Sequence, residues 1–102
     1  MGVDLVWQEE NGKVLEEIPD PKMCISTLLF TVDHAETICL RFIDPYGHTT
    51  FNQRQIPILI NELEAISPRV TDYDMQIHLL RVLELAGRSK GEKRTILKFT
   101  GA

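Results

Sequence analysis

The stretch from Val3 to Ile18 reads VDLVWQEENGKVLEEI and decides how the fold begins. At its centre, Asn11-Gly12 tolerates the two positive φ angles of a type I′ turn, and apolar residues alternate on both sides. This pattern predicts a two-strand hairpin with a two-residue loop, in which Leu5 lies opposite Ile18 and Trp7 opposite Glu16. The face expected to join the core consists of Val3, Leu5, Trp7, Val14 and Ile18.

Three further segments before the middle of the chain favour strands. Residues 24–32 contain Leu28-Leu29-Phe30 without polar alternation, which suits a strand, or a short element, buried on both sides. Residues 37–43 alternate between apolar and polar, as in a strand with one face on the core. Residues 44–47, Asp44-Pro45-Tyr46-Gly47, fit a type I turn, and residues 48–51 are then the returning strand.

The second half of the chain predicts two helices. Proline is tolerated in the first turn of a helix but costs about 3 kcal/mol further inside, so Pro57 predicts a helix at 57–66 after a turn at 52–56. A second helix is expected at 72–86, with Thr71 as N-cap and Gly87 after its end. Its broad apolar set, which includes Ile77 and Leu80, predicts burial against both the sheet and the first helix. Residues 95–99 form a closing strand.

This order of elements predicts a single α+β domain over residues 1–102. We expect a mostly antiparallel sheet of about five to six strands with two helices packed on one face. Of the 102 residues, 43% are hydrophobic and 25% are charged, which is an ordinary globular composition and excludes a disordered or low-complexity chain.

Charge and cysteine content restrict the setting. The formal net charge is −4, and nucleic-acid binding depends on clustered Lys and Arg, so no nucleic-acid partner is expected. No segment approaches the roughly 18 apolar residues of a membrane span, and no export signal is visible at the N-terminus. Cys24 and Cys39 lie in apolar segments and predict two buried thiols rather than a disulfide. We therefore expect a cytoplasmic protein that does not contact a membrane.

Sequence motifs of common enzymes are missing. The chain has no phosphate-binding glycine loop, no nucleophile elbow, no His-Glu-x-x-His and no Cys-x-x-Cys. His34 lies in an acidic turn at 33–36, which predicts a solvated turn rather than a metal site. His78 follows Asp74 by four residues and predicts a pair on a helix surface. We assign no catalytic residue, no cofactor and no metal ligand, and expect a protein that is not an enzyme.

The densest polar chemistry lies between residues 42 and 54. Asp44, Tyr46, His48 and Arg54 combine a carboxylate, an aromatic hydroxyl, an imidazole and a guanidinium, which is a mixture typical of specific polar recognition. The same residues also fit a structural role in the turn and at the beginning of the following helix. Both interpretations stay open at this point.

This region also carries a resemblance. Residues 43–52, IDPYGHTTFN, together with QIP at 55–57, ELE at 62–64 and LKFTG at 97–101, resemble a group of small bacterial proteins of about this length, to which no function is assigned. The resemblance carries no catalytic residue and no cofactor. It implies that an acidic residue commonly stands at the position of His48, which makes His48 a poor candidate for an essential catalyst.

The two ends of the chain carry opposite charge. The charged side chains of residues 1–20 are mostly acidic and those of residues 81–102 are mostly basic. The two ends therefore either attract each other across the sheet or leave an acidic hairpin that steers a basic partner. Our leading hypothesis is a protein-binding domain, as an immunity-type or regulatory factor. The expected partner-binding residues are Glu9, Glu10, Glu16, Glu17, Asp44, Tyr46, His48 and Arg54.

Two alternatives belong to other classes of protein. One is a small enzyme or ligand-binding domain with a pocket between Asp44 and Arg54. The other is a structural protein that associates with its own copies through an exposed edge strand.

Overall fold

The computed structural model describes residues 2–31 and 37–101, apart from the side chain of Thr31. Over these ranges the fold is α+β, as predicted. Its strands are β1 (Asp4–Glu9), β2 (Val14–Ile18), β3 (His48–Phe51) and β4 (Thr95–Thr100). Its helices are α1 (Cys24–Thr31), α2 (Ile56–Ile66) and α3 (Tyr73–Ser89), with 3₁₀ turns at Leu40–Phe42 and Ser67–Arg69.

The strands form an antiparallel sheet in the order β2-β1-β4-β3. β1 and β4 pair along their whole length, with Asp4 opposite Thr100 and Glu9 opposite Thr95. The acidic start and the basic end of the chain are therefore neighbours in the sheet.

The turn between β1 and β2 differs from the predicted two-residue loop. The N–H of Glu9 donates to the carbonyl of Lys13 (2.8 Å), and the N–H of Gly12 donates to the carbonyl of Glu9 (2.9 Å), which encloses three residues. Gly12 has a positive φ of 97° whereas Asn11 does not, so the loop is a turn that ends in a left-handed glycine rather than a type I′ turn.

The same hairpin contains a β-bulge, which shifts the pairing of its two strands by one residue. The pairing shifts between Trp7 and Gln8, so Leu5 still lies opposite Ile18, as predicted. Beyond the bulge Val14 lies opposite Gln8, and it is exposed instead of joining the core. One extra residue in a strand reverses the face of everything on the far side of it, which explains the error at Val14.

The predicted strand at 24–32 is wrong, because Cys24–Thr31 form α1; residue 32 lies outside the described residues. Ile25, Leu28 and Leu29 are buried while Phe30 is exposed, which is the pattern of a helix with one buried face. A short apolar run does not distinguish a buried strand from a buried helix. The decisive group is Asp20, whose carboxylate accepts backbone N–H groups at the beginning of α1.

The predicted strand at 37–43 is also wrong. The carboxylate of Glu62, on α2, accepts hydrogen bonds from the backbone N–H groups of Ile38 (2.6 Å), Cys39 (3.1 Å) and Leu40 (2.9 Å). These groups need no neighbouring strand because a side chain satisfies them. The described sheet therefore has four strands rather than five or six, and the described residues form three helices rather than two. The turn predicted at 33–36 lies outside the described residues.

The other helix predictions are close to the structure. α2 begins at Ile56 with Pro57 in its first turn. Before it, the N–H of Asn52 donates to Oε1 of Gln55 (2.9 Å) and the N–H of Gln55 to Oδ1 of Asn52 (3.1 Å), which stabilises the turn at this point.

The ends of α3 differ from the prediction by one and three residues. The cap is Asp72 rather than Thr71, since its carboxylate accepts the N–H of Met75 (3.0 Å). The helix continues through Gly87 to Ser89, because Gly91 supplies the positive φ (85°) that follows the helix.

Side chains from the sheet and all three described helices meet in one hydrophobic cluster. Leu97 and Phe99 of β4 face it, and the Phe99 ring contacts Phe51 edge to face, with centroids 5.9 Å apart. Among the described residues, no helix has the length and apolar character that crossing a bilayer requires.

Candidate functional site

The sheet separates the residues predicted to bind a partner. Thr100 of β4 lies opposite His48, and Thr95 lies opposite Glu9, so these two ends of the sheet are about 17 Å apart at 3.3 Å per residue. Asp44 and Tyr46 precede β3 at the His48 end, whereas Arg54 follows β3 at its other end. The predicted residues therefore do not form one site.

The four hairpin glutamates are also dispersed. Glu16 forms an ion pair with Arg88 of α3, which also contacts Glu84 (2.6 Å). Glu9 and Glu10 line a surface depression that contains the basic residues Lys93 and Arg94. Glu17 is exposed on the opposite face of β2 from Glu16. Much of the predicted acidic surface thus lies against basic side chains.

The polar groups between residues 44 and 54 mostly serve their own turns. Oδ1 of Asp44 accepts the N–H of Tyr46 (2.8 Å), and the carbonyl of Asp44 accepts the N–H of Gly47 (3.3 Å), which gives the predicted turn. The side chains of Tyr46, His48 and Arg54 are exposed. The structural interpretation therefore accounts for Asp44, and the other three remain available to a partner.

Helix α3 has a feature that sequence reasoning interpreted wrongly. Tyr73, Ile77 and Leu80 are 72%, 40% and 62% exposed, and their i, i+4, i+7 spacing places them on one side of the helix. The residues that α3 buries in the core are Leu79, Val82, Leu85 and Ala86. The breadth of the apolar pattern had predicted burial of Ile77 and Leu80 inside the fold. We call Tyr73, Ile77 and Leu80 the α3 stripe.

The α3 stripe adjoins the beginning of α1. Ile77 and Cys24 line the same surface pocket, and Met23, directly before Cys24, is another exposed apolar side chain. The exposed apolar surface of α3 therefore continues towards α1.

A second feature that sequence reasoning missed lies beneath this surface. The predicted surface pair of His78 and Asp74 is wrong: His78 is buried, and Asp74 pairs instead with Lys22 (3.2 Å). Nε2 of His78 lies 3.7 Å from Oδ1 of Asp20. Asp20, Cys24 and His78 together bring a carboxylate oxygen, a sulfur and a ring nitrogen within 4.8 Å of one another.

Asp20 holds the surrounding backbone in place. Its Oδ1 accepts the N–H of Cys24 (2.7 Å), and its Oδ2 accepts the N–H groups of Val3 (3.0 Å) and Ile25 (3.0 Å). The residue is only 3% exposed, so these bonds compensate for the burial of its charge. This carboxylate ties the start of β1 to the start of α1.

Burial controls the titration of the two neighbouring groups. It lowers the pKa of His78, against the opposing effect of the Asp20 carboxylate. Burial raises the pKa of the Cys24 thiol, and Asp20 raises it further. His78 therefore favours its neutral form and Cys24 its protonated form. As predicted, Cys24 and Cys39 are both buried free thiols.

Comparison of the chain with protein-family models, with curated proteins and with solved structures finds no match.

Proposed function

We propose that this chain is a non-catalytic protein-binding domain whose contact surface is the α3 stripe. The supporting observation is the exposure of Tyr73, Ile77 and Leu80 on one side of a helix whose other side is already in the core. A surface helix of a globular protein normally has one apolar face, and an apolar patch left in solvent is characteristic of an interaction site.

The spacing of the stripe suits a helical partner. Seven residues of helix span about 10 Å, or two turns, which matches the anchor spacing of an amphipathic helix packed against another helix. The net charge of −4 favours a partner with net positive charge, because opposite charges raise the rate of encounter. The proposed occupant is therefore a basic protein that presents an amphipathic helix.

A hairpin carboxylate contributes to this proposal at longer range. Glu17 is exposed and has no ion pair among the described salt bridges, while Glu16 is held by Arg88. Glu17 is the hairpin carboxylate that we propose to steer the partner, since Glu9 and Glu10 share a depression with Lys93 and Arg94. Tyr46, His48 and Arg54 lie on other parts of the surface and would contact only a partner that extends beyond α3.

The biological setting that we propose is a bacterial cytoplasm, with a role as an immunity-type or regulatory factor. The two free thiols support a reducing compartment. The alternative of a ligand pocket between Asp44 and Arg54 draws no support from their positions, since β3 separates them.

The experiment compares matched variants of the full chain as bait in a lysate of the organism that encodes it. Leu80→Ser removes an exposed anchor of the stripe, and Phe42→Ser removes an exposed apolar side chain from the turn before β3. We expect a protein that wild type and F42S retain equally and that L80S retains at least tenfold less. Equal retention by L80S would contradict the proposal.

Sedimentation velocity of the purified chain separates a partner from a second copy. A monomer supports the proposed heterologous partner. If the chain is a dimer and L80S abolishes the dimer, the α3 stripe binds a second copy of the chain rather than another protein. A dimer that L80S leaves intact would favour the edge strand β2, where Val14 and Leu15 are exposed.

A further inference from the structure

The buried group of Asp20, Cys24 and His78 combines three kinds of metal ligand. Asp20 and Cys24 come from the loop and first turn at the start of α1, and His78 comes from the first half of α3. Each offers one donor atom, and the three atoms lie within 4.8 Å of one another. The helices that carry them pack together, so the arrangement belongs to the folded core rather than to a loop at the surface.

The ring of His78 has a donor atom without a partner. Its side chain is 9% exposed, and Nε2 makes no hydrogen bond in the part of the chain that the structure describes. A buried ring nitrogen normally has a hydrogen-bond partner or a metal, because leaving it alone costs the free energy of its lost hydration. Here Nε2 points towards Oδ1 of Asp20, 3.7 Å away, which is too long for a hydrogen bond.

The carboxylate of Asp20 also has an unused acceptor position that faces His78. An ionised carboxylate has about four acceptor positions. Oδ2 uses two of them for Val3 and Ile25, and Oδ1 uses one for Cys24, so Oδ1 keeps one lone pair on the side of His78. With its proton on Nδ1, His78 also presents a lone pair at Nε2, and a cation between Nε2 and Oδ1 would satisfy both atoms.

We propose that Asp20, Cys24 and His78 bind one divalent transition-metal ion, with zinc as the best match, and that solvent completes the coordination. Mixed nitrogen, sulfur and oxygen ligands are typical of zinc, whereas calcium and magnesium take oxygen ligands almost alone. Three protein ligands with a fourth position open to solvent is a recurrent arrangement for this ion.

The distance between two of the three donor atoms is close to that of a zinc site. Atoms bound at about 2.0–2.2 Å in a tetrahedral site lie about 3.4 Å apart, and the 3.7 Å between Nε2 of His78 and Oδ1 of Asp20 is within a few tenths of an ångström of that value. On binding, the Cys24 thiol loses its proton to solvent as the sulfur–metal bond forms.

A surface pocket of about 150 Å³ lies beside this group. Cys24 and His78 line it, together with Lys22, Asp74 and Arg81. The charge of Lys22 is offset by its ion pair with Asp74 (3.2 Å), which leaves Arg81 as the cation at the rim without a described ion pair. The pocket therefore reaches Cys24 and His78, whereas Nε2 of His78 itself is covered.

The test uses Co²⁺ alone, added to the full chain after chelation and thiol reduction. Cobalt replaces zinc in such sites and reports a sulfur ligand through near-ultraviolet charge-transfer absorption. We expect one equivalent to bind with this absorption and with the strong visible bands of a tetrahedral site, and Zn²⁺ to displace it. Cys24→Ser should abolish the sulfur band, and His78→Gln should weaken Co²⁺ binding at least tenfold.

The matched control is Cys39→Ser, which removes the other buried thiol, and it should bind like wild type. Asp20→Asn is avoided here because this carboxylate also caps α1. Circular dichroism confirms that each variant is folded, and H78Q tests the proposal if C24S does not fold. No sulfur band in wild type, a band retained in folded C24S, or equal affinity in folded H78Q would each overturn the proposal. Because no partner protein is present, these outcomes are independent of the proposed protein-binding function.

Discussion

The substitution Asp20→Asn tests whether one buried carboxylate organises the start of both β1 and α1. The amide is nearly isosteric, but it has one acceptor oxygen in place of two. If that oxygen takes the place of Oδ2 it keeps the bonds from Val3 and Ile25, and the amide NH₂ then faces the N–H of Cys24.

The expected magnitude follows from this arrangement. A buried donor left without an acceptor costs about 1–3 kcal/mol, and the two remaining bonds lose the contribution of the negative charge, which makes charge-assisted bonds roughly twice as strong as neutral ones. The sum is about 3 kcal/mol. The free energy of unfolding of a domain of this size is roughly 5–15 kcal/mol, so a loss of about 3 kcal/mol is a large fraction of it.

Urea denaturation followed by circular dichroism in a chelating buffer measures the effect. With a slope of about 1.5 kcal/mol per molar urea, D20N should lower the midpoint by about 2 M. Asp72→Asn is the matched control, because Asp72 is an exposed N-cap whose carboxylate accepts the N–H of Met75, and Asn caps about as well as Asp. It should change the unfolding free energy by less than about 0.5 kcal/mol. Equal midpoints for D20N and D72N would refute the assigned role of Asp20.

Other predictions concern packing and reactivity. Leu79→Ala should cost about 2–5 kcal/mol because Leu79 is buried, whereas Leu80→Ala, one residue further along α3, should change stability by less than about 0.5 kcal/mol; equal losses in urea would show that Leu80 belongs to the core. Gly101→Ala should lower the melting temperature, since an added Cβ would overlap a backbone carbonyl of the turn before β3; an unchanged melting temperature would contradict that contact. Burial raises the pKa of Cys24 and of Cys39, so at pH 8 iodoacetamide should modify both far more slowly in the native chain than in urea; similar rates in the two states, by mass spectrometry, would contradict their burial.

The elements that the sequence predicted well depend on neighbouring residues. Asn11-Gly12 indicated the hairpin, and Pro57 fixed where α2 begins, because turn and helix-start chemistry acts within a few residues. The bulge that displaced Val14 was invisible, since it has no marker of its own in the sequence.

The elements that were missed depend on distant groups. Asp20 satisfies the first N–H groups of α1, and Glu62 satisfies those of residues 38–40, so two segments with apolar runs form no described strand. The spacing of four residues predicted that His78 pairs with Asp74, but in the fold His78 lies beside Asp20. Side chains that act across the fold leave no local pattern, which is why the metal-ligand group was not predicted.

The exposed face of α3 was visible in the sequence but received the wrong interpretation. An apolar set too broad for one face predicts burial on two sides, but the structure buries only one side. Ile77 and Leu80 are therefore apolar side chains that the described fold leaves exposed. Their exposure is the basis of the proposed function.

The most direct test of the protein-binding claim is the dissociation constant of the captured partner for three purified chains, measured by titration calorimetry. Wild type and F42S should bind with the same constant within twofold, and L80S should bind at least tenfold more weakly, a difference of about 1.4 kcal/mol. Equal constants for all three chains would show that the α3 stripe is not the contact surface.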